Sequence, residues 1–173
     1  MKYKLGCLAL AGVLAGCAAS GSKVTTHTSP IDGKTTTTIH GSDFATSLIY
    51  PINNNAEHGG MLINGGSVVD KDIARIRVSA FSETGYTSAF FKADGKLFNL
   101  EPSTTSFKVD QYGAQAFTSL SIACSELQQV VNSNQIYMRV TFRNGYVDYK
   151  VEDGTKMGSD GLSMIKAISS HCL

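Results

Sequence analysis

Residues Gln135 to Glu152 read QIYMRVTFRNGYVDYKVE. Ile136, Met138, Val140 and Phe142 alternate with Tyr137, Arg139, Thr141 and Arg143, the period-2 pattern of a half-buried strand. Val147, Tyr149 and Val151 continue the alternation after Asn144-Gly145. Asn-Gly between two alternating runs is the strongest short hairpin signal, because both residues tolerate positive φ. A chain containing this segment builds antiparallel sheet from local hairpins.

The same signal recurs upstream. Tyr86–Lys92 and Lys96–Leu100 flank Ala93-Asp94-Gly95. Ile73–Phe81 (IARIRVSAF) alternates, as do Thr104–Val109 and Ala114–Ile122. Val24–Ser29 and Lys34–His40 are Thr-rich runs around Ile31-Asp32-Gly33, which predicts a hairpin that adds to the main sheet. Residues 51–66 (PINNNAEHGGMLINGG) read as loop, with Met61–Asn64 a short strand between two Gly pairs. Phe90, Phe91, Phe98 and Phe107 are expected in the core.

Two segments carry helical period. Cys124, Leu127, Val130 and Val131 form one apolar stripe, and Leu162, Ile165 and Ile168 another. Ser159 is placed to cap the second helix over Asp160 to about Ser170, with Asp160 favourable in its first turn. The expected fold is α+β: a mostly antiparallel sheet of hairpins packed against two short helices. A β-sandwich, with the stripes as packing turns, is the alternative.

The N-terminus has a different character. Lys2 and Lys4 precede Leu5–Gly16 (LGCLALAGVLAG), 12 residues without charge. That length suits a signal-peptide h-region and is too short to span a bilayer. The segment closes on Leu14-Ala15-Gly16-Cys17. This tetrapeptide resembles the lipobox of bacterial lipoproteins, and residues 1–19 resemble a type II signal peptide. The resemblance implies cleavage before Cys17, a diacylglyceryl thioether on the Cys17 sulfur and an acyl chain on its amino group. Several chains make such an anchor effectively permanent, because each buried CH₂ contributes about 0.8 kcal/mol. Ala18 in place of Asp implies outer-membrane rather than inner-membrane residence in a Gram-negative cell. The expected organisation is therefore a signal peptide over 1–16, a lipidated N-terminus and Ser/Thr-rich tether over 17–42 that includes the candidate hairpin, and one globular domain over 43–173.

Composition narrows the function classes. The 173 residues carry 15 basic and 14 acidic groups, and charged residues make up 17% of the chain. Loss of Lys2 and Lys4 with the signal would leave the balance slightly acidic, so no basic field attracts nucleic acid. Of four cysteines, Cys7 would leave with the signal and Cys17 would hold lipid. Cys124 and Cys172 remain, 48 residues apart, an even pair in an oxidising compartment. Both sit at the edge of an apolar helical stripe, and a disulfide between them is expected. Two free buried thiols or a metal pair are the alternatives.

Motifs for catalysis are absent: no G-x-S-x-G elbow, P-loop, H-E-x-x-H or dinucleotide fingerprint. His27, His40, His58 and His171 are dispersed. His27 and His40 would face each other only if the Thr-rich hairpin pairs them. Asp70, Asp72, Glu152 and Asp153 flank strands and read as turn chemistry. Arg75 and Arg77 share one strand face, as do Arg139 and Arg143; neighbouring strands would merge them into a basic patch. No catalytic residue, metal ligand or cofactor is assigned. The expected protein is a lipid-anchored envelope domain of non-enzymatic binding or structural type, with an envelope protein or glycan as partner. An anchored hydrolase with an unrecognised active site is the competing expectation.

Overall fold

The computed structural model describes residues 23–41, 47–49, 52, 60–111, 113–152 and 161–173. Residues 1–16, Cys17 and Ala18, His58, Asp153 and the Ser159-Asp160 cap lie outside the described residues. Strands form at Lys23–Thr28 (β1), Thr35–His40 (β2), Ser47–Ile49 (β3), Met61–Val69 (β4), Ile73–Phe81 (β5) and Tyr86–Ala93 (β6). Five more follow at Lys96–Pro102 (β7), Ser106–Asp110 (β8), Gly113–Ala123 (β9), Ile136–Phe142 (β10) and Gly145–Lys150 (β11). Two short helices, Cys124–Val131 (α1) and Gly161–Ser169 (α2), complete the described elements, with a 3-10 turn at Ser170–Cys172 after α2.

All pairings are antiparallel, in the order β1-β2-β4-β5-β9-β7-β6-β10-β11, with β3 on β4 and β8 on β9. The path narrows at β7. Its first residues pair with β6, and then Glu101 and Pro102 pair with Ser121 and Leu120 of β9. Pro102 has no N–H to give, which suits a strand end. Beyond β3, Ile52 N–H donates to the Asp148 carbonyl at 2.8 Å. The chain thus passes from the β4 side, where Ile49 pairs Met61, to the free edge of β11 within three residues.

Turn chemistry fixes the registers. Ala93 pairs Lys96 across Asp94-Gly95, whose φ values of 47° and 85° are those of a tight two-residue hairpin loop. The Asp94 carboxylate then accepts from the N–H groups of Asn134 and Gln135 at 3.0 and 2.9 Å, which ties this turn to the start of β10. The last hairpin closes one residue earlier than its Asn-Gly signal implies. Phe142 pairs Gly145, so Arg143 and Asn144 form the loop.

β4 differs most from expectation. It runs nine residues through Gly65-Gly66, which reads as loop in the sequence. The pairing with β5 shifts between Ile63 and Gly65, and Gly65 has φ 112°. A Cβ there would collide with the Ile39 carbonyl of β2. Gly66 lets α2 approach: a Cβ on it would lie 2.6 Å from Ile168 Cδ1. The two glycines are a bulge and a helix seat inside a strand, not punctuation between strands.

One core joins sheet and helices. Leu127 and Val130 of α1, and Ile165 and Ile168 of α2, are fully buried with Ile76, Phe91, Leu120 and Met138. Each such side chain contributes about 1.5–3 kcal/mol on burial. α1 starts without a side-chain cap, but the Asp72 carbonyl accepts its first N–H, from Cys124, at 2.7 Å. The Cys124 and Cys172 sulfurs stand at disulfide distance, 2.10 Å, with Cα atoms 5.4 Å apart. This joins the start of α1 to the 3-10 turn that ends α2. Phe91 and Phe98 are core; Phe90 is half-buried, and Phe107 is 50% exposed. β8 pairs with β9 and contributes no residue to the core; all its described side chains are exposed, Phe107 among them.

Candidate functional site

The register of β7, β6, β10 and β11 sets out their solvent face as rows. Leu97, Lys92, Tyr137 and Lys150 lie side by side. Asn99, Phe90, Arg139 and Asp148 form the next row, and Ser88, Thr141 and Tyr146 a third. Alternation puts these residues on one face, opposite the buried Phe91, Met138, Val140 and Tyr149.

Arg139 sits at the centre. Its Nε donates to Asp148 Oδ1 at 2.6 Å and Nη2 to Oδ2 at 2.8 Å, a two-pronged pair directly across the hairpin. The guanidinium lies 4.0 Å from the Tyr146 ring centroid and 5.7 Å from that of Phe90. The hydrogen-bonded Asp148 carboxylate raises the Arg139 pKa further, so the side chain is cationic at any biological pH. Around it a groove of about 510 Å³ is lined by Ile52, Phe90, Lys92, Leu97, Tyr137, Arg139 and Asp148. Leu97 is 59% exposed and Ile52 55%. Flat rings, an oriented guanidinium and exposed apolar side chains together suit a peptide segment or a sugar ring, with apolar contact for affinity and charge for orientation.

The other residues singled out in the sequence have local work. Asp70 accepts from Thr35 N–H at 2.7 Å through Oδ1, while its own N–H donates to the Thr35 carbonyl at 2.8 Å. This fastens the β4–β5 turn to the Thr-rich hairpin. Glu152 pairs with Lys150 at 2.7 Å, and that carboxylate raises the Lys150 pKa. His27 pairs Thr36 and His40 pairs Lys23, so the two histidines do not face each other. Arg75 and Arg77 lie on β5, separated from Arg139 on β10 by β9, β7 and β6, so no merged basic patch forms between them. Ser170 donates to the Ala167 carbonyl at 2.8 Å rather than to its neighbour His171. Among the described residues no group of three or more His, Cys, Asp or Glu could hold a metal ion, and no helix is long and apolar enough to cross a membrane.

The aromatic frame of Phe90, Tyr137 and Tyr146 escapes a reading that assigns phenylalanines to the core. Its signal is in the outward half of the alternation. Outward positions of β9 are Gln115, Phe117, Ser119 and Ser121, whereas those of β10 and β11 include Tyr137, Arg139 and Tyr146. Comparison with protein-family models, with curated proteins and with solved structures finds no match, so the chemistry of this face is read from its own residues.

Proposed function

We propose that the protein is a lipid-anchored cell-envelope domain that works by binding, with the face around Arg139 as its contact for an envelope protein or glycan. The observation that carries the anchor is the N-terminal series: Lys2 and Lys4, the uncharged run 5–16, and Leu14-Ala15-Gly16-Cys17. Ala18 supports the outer membrane as its address in a Gram-negative cell.

Chain length adds a geometric consequence. β1 begins at Lys23, six residues after Cys17. Six residues reach at most about 20 Å. The hairpin over 23–40 leaves only residues 17–22 as tether, so the domain is held close to the lipid headgroups. The Thr-rich hairpin is then the part nearest the membrane.

Metabolic labelling with a radioactive fatty acid tests the anchor. The wild-type chain takes up label and sediments with membranes, and Cys17→Ser abolishes both; membrane association retained in Cys17→Ser overturns the reading. Photo-crosslinking tests the face. A photoreactive residue at Tyr137 captures a discrete envelope partner, and one at Thr26 does not. Equal capture at both positions, or none at Tyr137, overturns the assignment of the face.

A further inference from the structure

A second groove, also about 510 Å³, lies on the outer side of β4, β5 and β9. Ser79, only 1% exposed, is at its floor. The Ser79 hydroxyl accepts from Asn64 Nδ2 at 2.9 Å and from Gln115 Nε2 at 3.3 Å. Both carboxamides spend an N–H on the same buried oxygen. Their own oxygens, Asn64 Oδ1 and Gln115 Oε1, have no partner among the described residues, and both side chains line the groove. The floor therefore offers two oriented acceptors.

Arg77 supplies the complementary donors. It is the one charged residue among those lining the groove. Its backbone pairs with Gly65, where a side chain would strike the Ile39 carbonyl. The guanidinium reaches across that gap and makes one long hydrogen bond, Nη2 to Ile39 O at 3.4 Å. Most of its five N–H groups are left for a ligand. Phe117 and Leu62 give the groove an apolar side.

We propose that this groove binds a sugar acid, with its carboxylate on Arg77, ring hydroxyls donating to Asn64 Oδ1 and Gln115 Oε1, and the apolar ring face against Phe117. A planar guanidinium matches a carboxylate with two parallel bonds. Hydroxyls are the donors that two fixed amide oxygens call for, and Ser103, Thr104, Ser106 and Ser119 make the rest of the lining mostly polar, which suits a ligand carrying several hydroxyls. The inference goes beyond the Arg139 face to a second groove and rests on the envelope-binding reading only for its probe, the wall sugar N-acetylmuramic acid. N-acetylglucosamine, which lacks the lactyl carboxylate, is its control.

The test is amide NMR titration of the full chain in detergent with each sugar. The expected result is about tenfold tighter binding of the acid. Shifts concentrate at Ser79, Gln115 and Ser119. Arg77→Gln lowers the acid to the affinity of the neutral sugar, Arg77→Lys retains part of the preference, and Asn64→Ala weakens both sugars. No binding of the acid, equal binding of the two sugars, or shifts centred on Tyr137 and Arg139 overturns the proposal. Those failures leave fatty-acid labelling at Cys17 and crosslinking at Tyr137 untouched, so the two readings fail separately.

Discussion

Ile168 of α2 rests on Gly66 of β4, close enough that a Cβ on the glycine would sit 2.6 Å from Ile168 Cδ1 and collide with the Arg75 carbonyl. The absent side chain is what seats the helix on the sheet. Gly66→Ala must move both α2 and the β4–β5 ladder, and overpacking of this kind costs about 2 kcal/mol. Ile168→Ala opens a cavity instead, at about 3 kcal/mol. The double variant relieves the Cδ1 contact and keeps the one with the carbonyl. Urea denaturation is expected to show it less destabilised than the sum of the two by more than about 0.5 kcal/mol. Strict additivity would mean that the two residues do not share the contact.

The same pair shows which parts of the fold are legible in the sequence. Asp94-Gly95 is legible because two consecutive positive φ angles are a local demand that few residue pairs meet. Gly65-Gly66 is not, because its cause lies in Ile39, Arg75 and Ile168, all distant along the chain. The helical stripes of Cys124–Val131 and of Leu162, Ile165 and Ile168 are local patterns and appear where expected. Phe107 defeats the composition rule because β8 lies outside the core, with every described side chain of the strand exposed. The site is harder still. Arg139 and Asp148 belong to one hairpin and their pairing follows from its register, but Phe90 reaches Arg139 only through the β6–β10 pairing, which no local signal specifies.

Cys124 and Cys172 stand at disulfide distance, and a bridge between them closes a loop of 48 residues that contains α1, the β10–β11 hairpin and α2. Closure of that length stabilises by about 4 kcal/mol through the unfolded chain. Cys172→Ser and Cys124→Ser are each expected to lower stability by a comparable amount, with the 3-10 turn at the C-terminus loosened first. Intact mass before and after reduction reads the bridge directly. Two thiols freely alkylated in protein taken from an oxidising compartment would rule it out.

Arg139 is expected to matter more for binding than for folding. Its pair with Asp148 is partly open to solvent, with side chains 37% and 24% exposed, and such pairs contribute about 1 kcal/mol or less. Arg139→Ala therefore unfolds within about 1 kcal/mol of wild type in urea. The variant also releases Tyr146 and Phe90 from their stacking partner, so capture through a photoreactive residue at Tyr137 falls several-fold. Undiminished capture by a folded Arg139→Ala chain would remove the guanidinium from the contact.

Tyr149 is fully buried, and its hydroxyl has no hydrogen-bond partner among the described residues. Tyr86 is nearly as buried and donates a long hydrogen bond, 3.4 Å, to the Ala116 carbonyl. Burial raises both phenol pKa values well above the ordinary one, and the proximity of Tyr149 raises Tyr86 further. A raised folded pKa stabilises fully below the unfolded value of about 10 and is lost as pH climbs from there through the folded value. Each tyrosine then removes about 1.4 kcal/mol per pH unit. Tyr149→Phe deletes an unsatisfied polar atom without changing the shape of the ring. At neutral pH it is expected to match wild type or exceed it by about 1 kcal/mol. Above a pH of about 10 its stability falls less steeply than wild type by about 1.4 kcal/mol per pH unit, because Tyr149 no longer titrates while Tyr86 and Lys150, both raised in the fold, still do. Urea midpoints measured from neutral pH into this alkaline range separate the two residues, and an unchanged slope in Tyr149→Phe would show that its ionisation is not linked to unfolding.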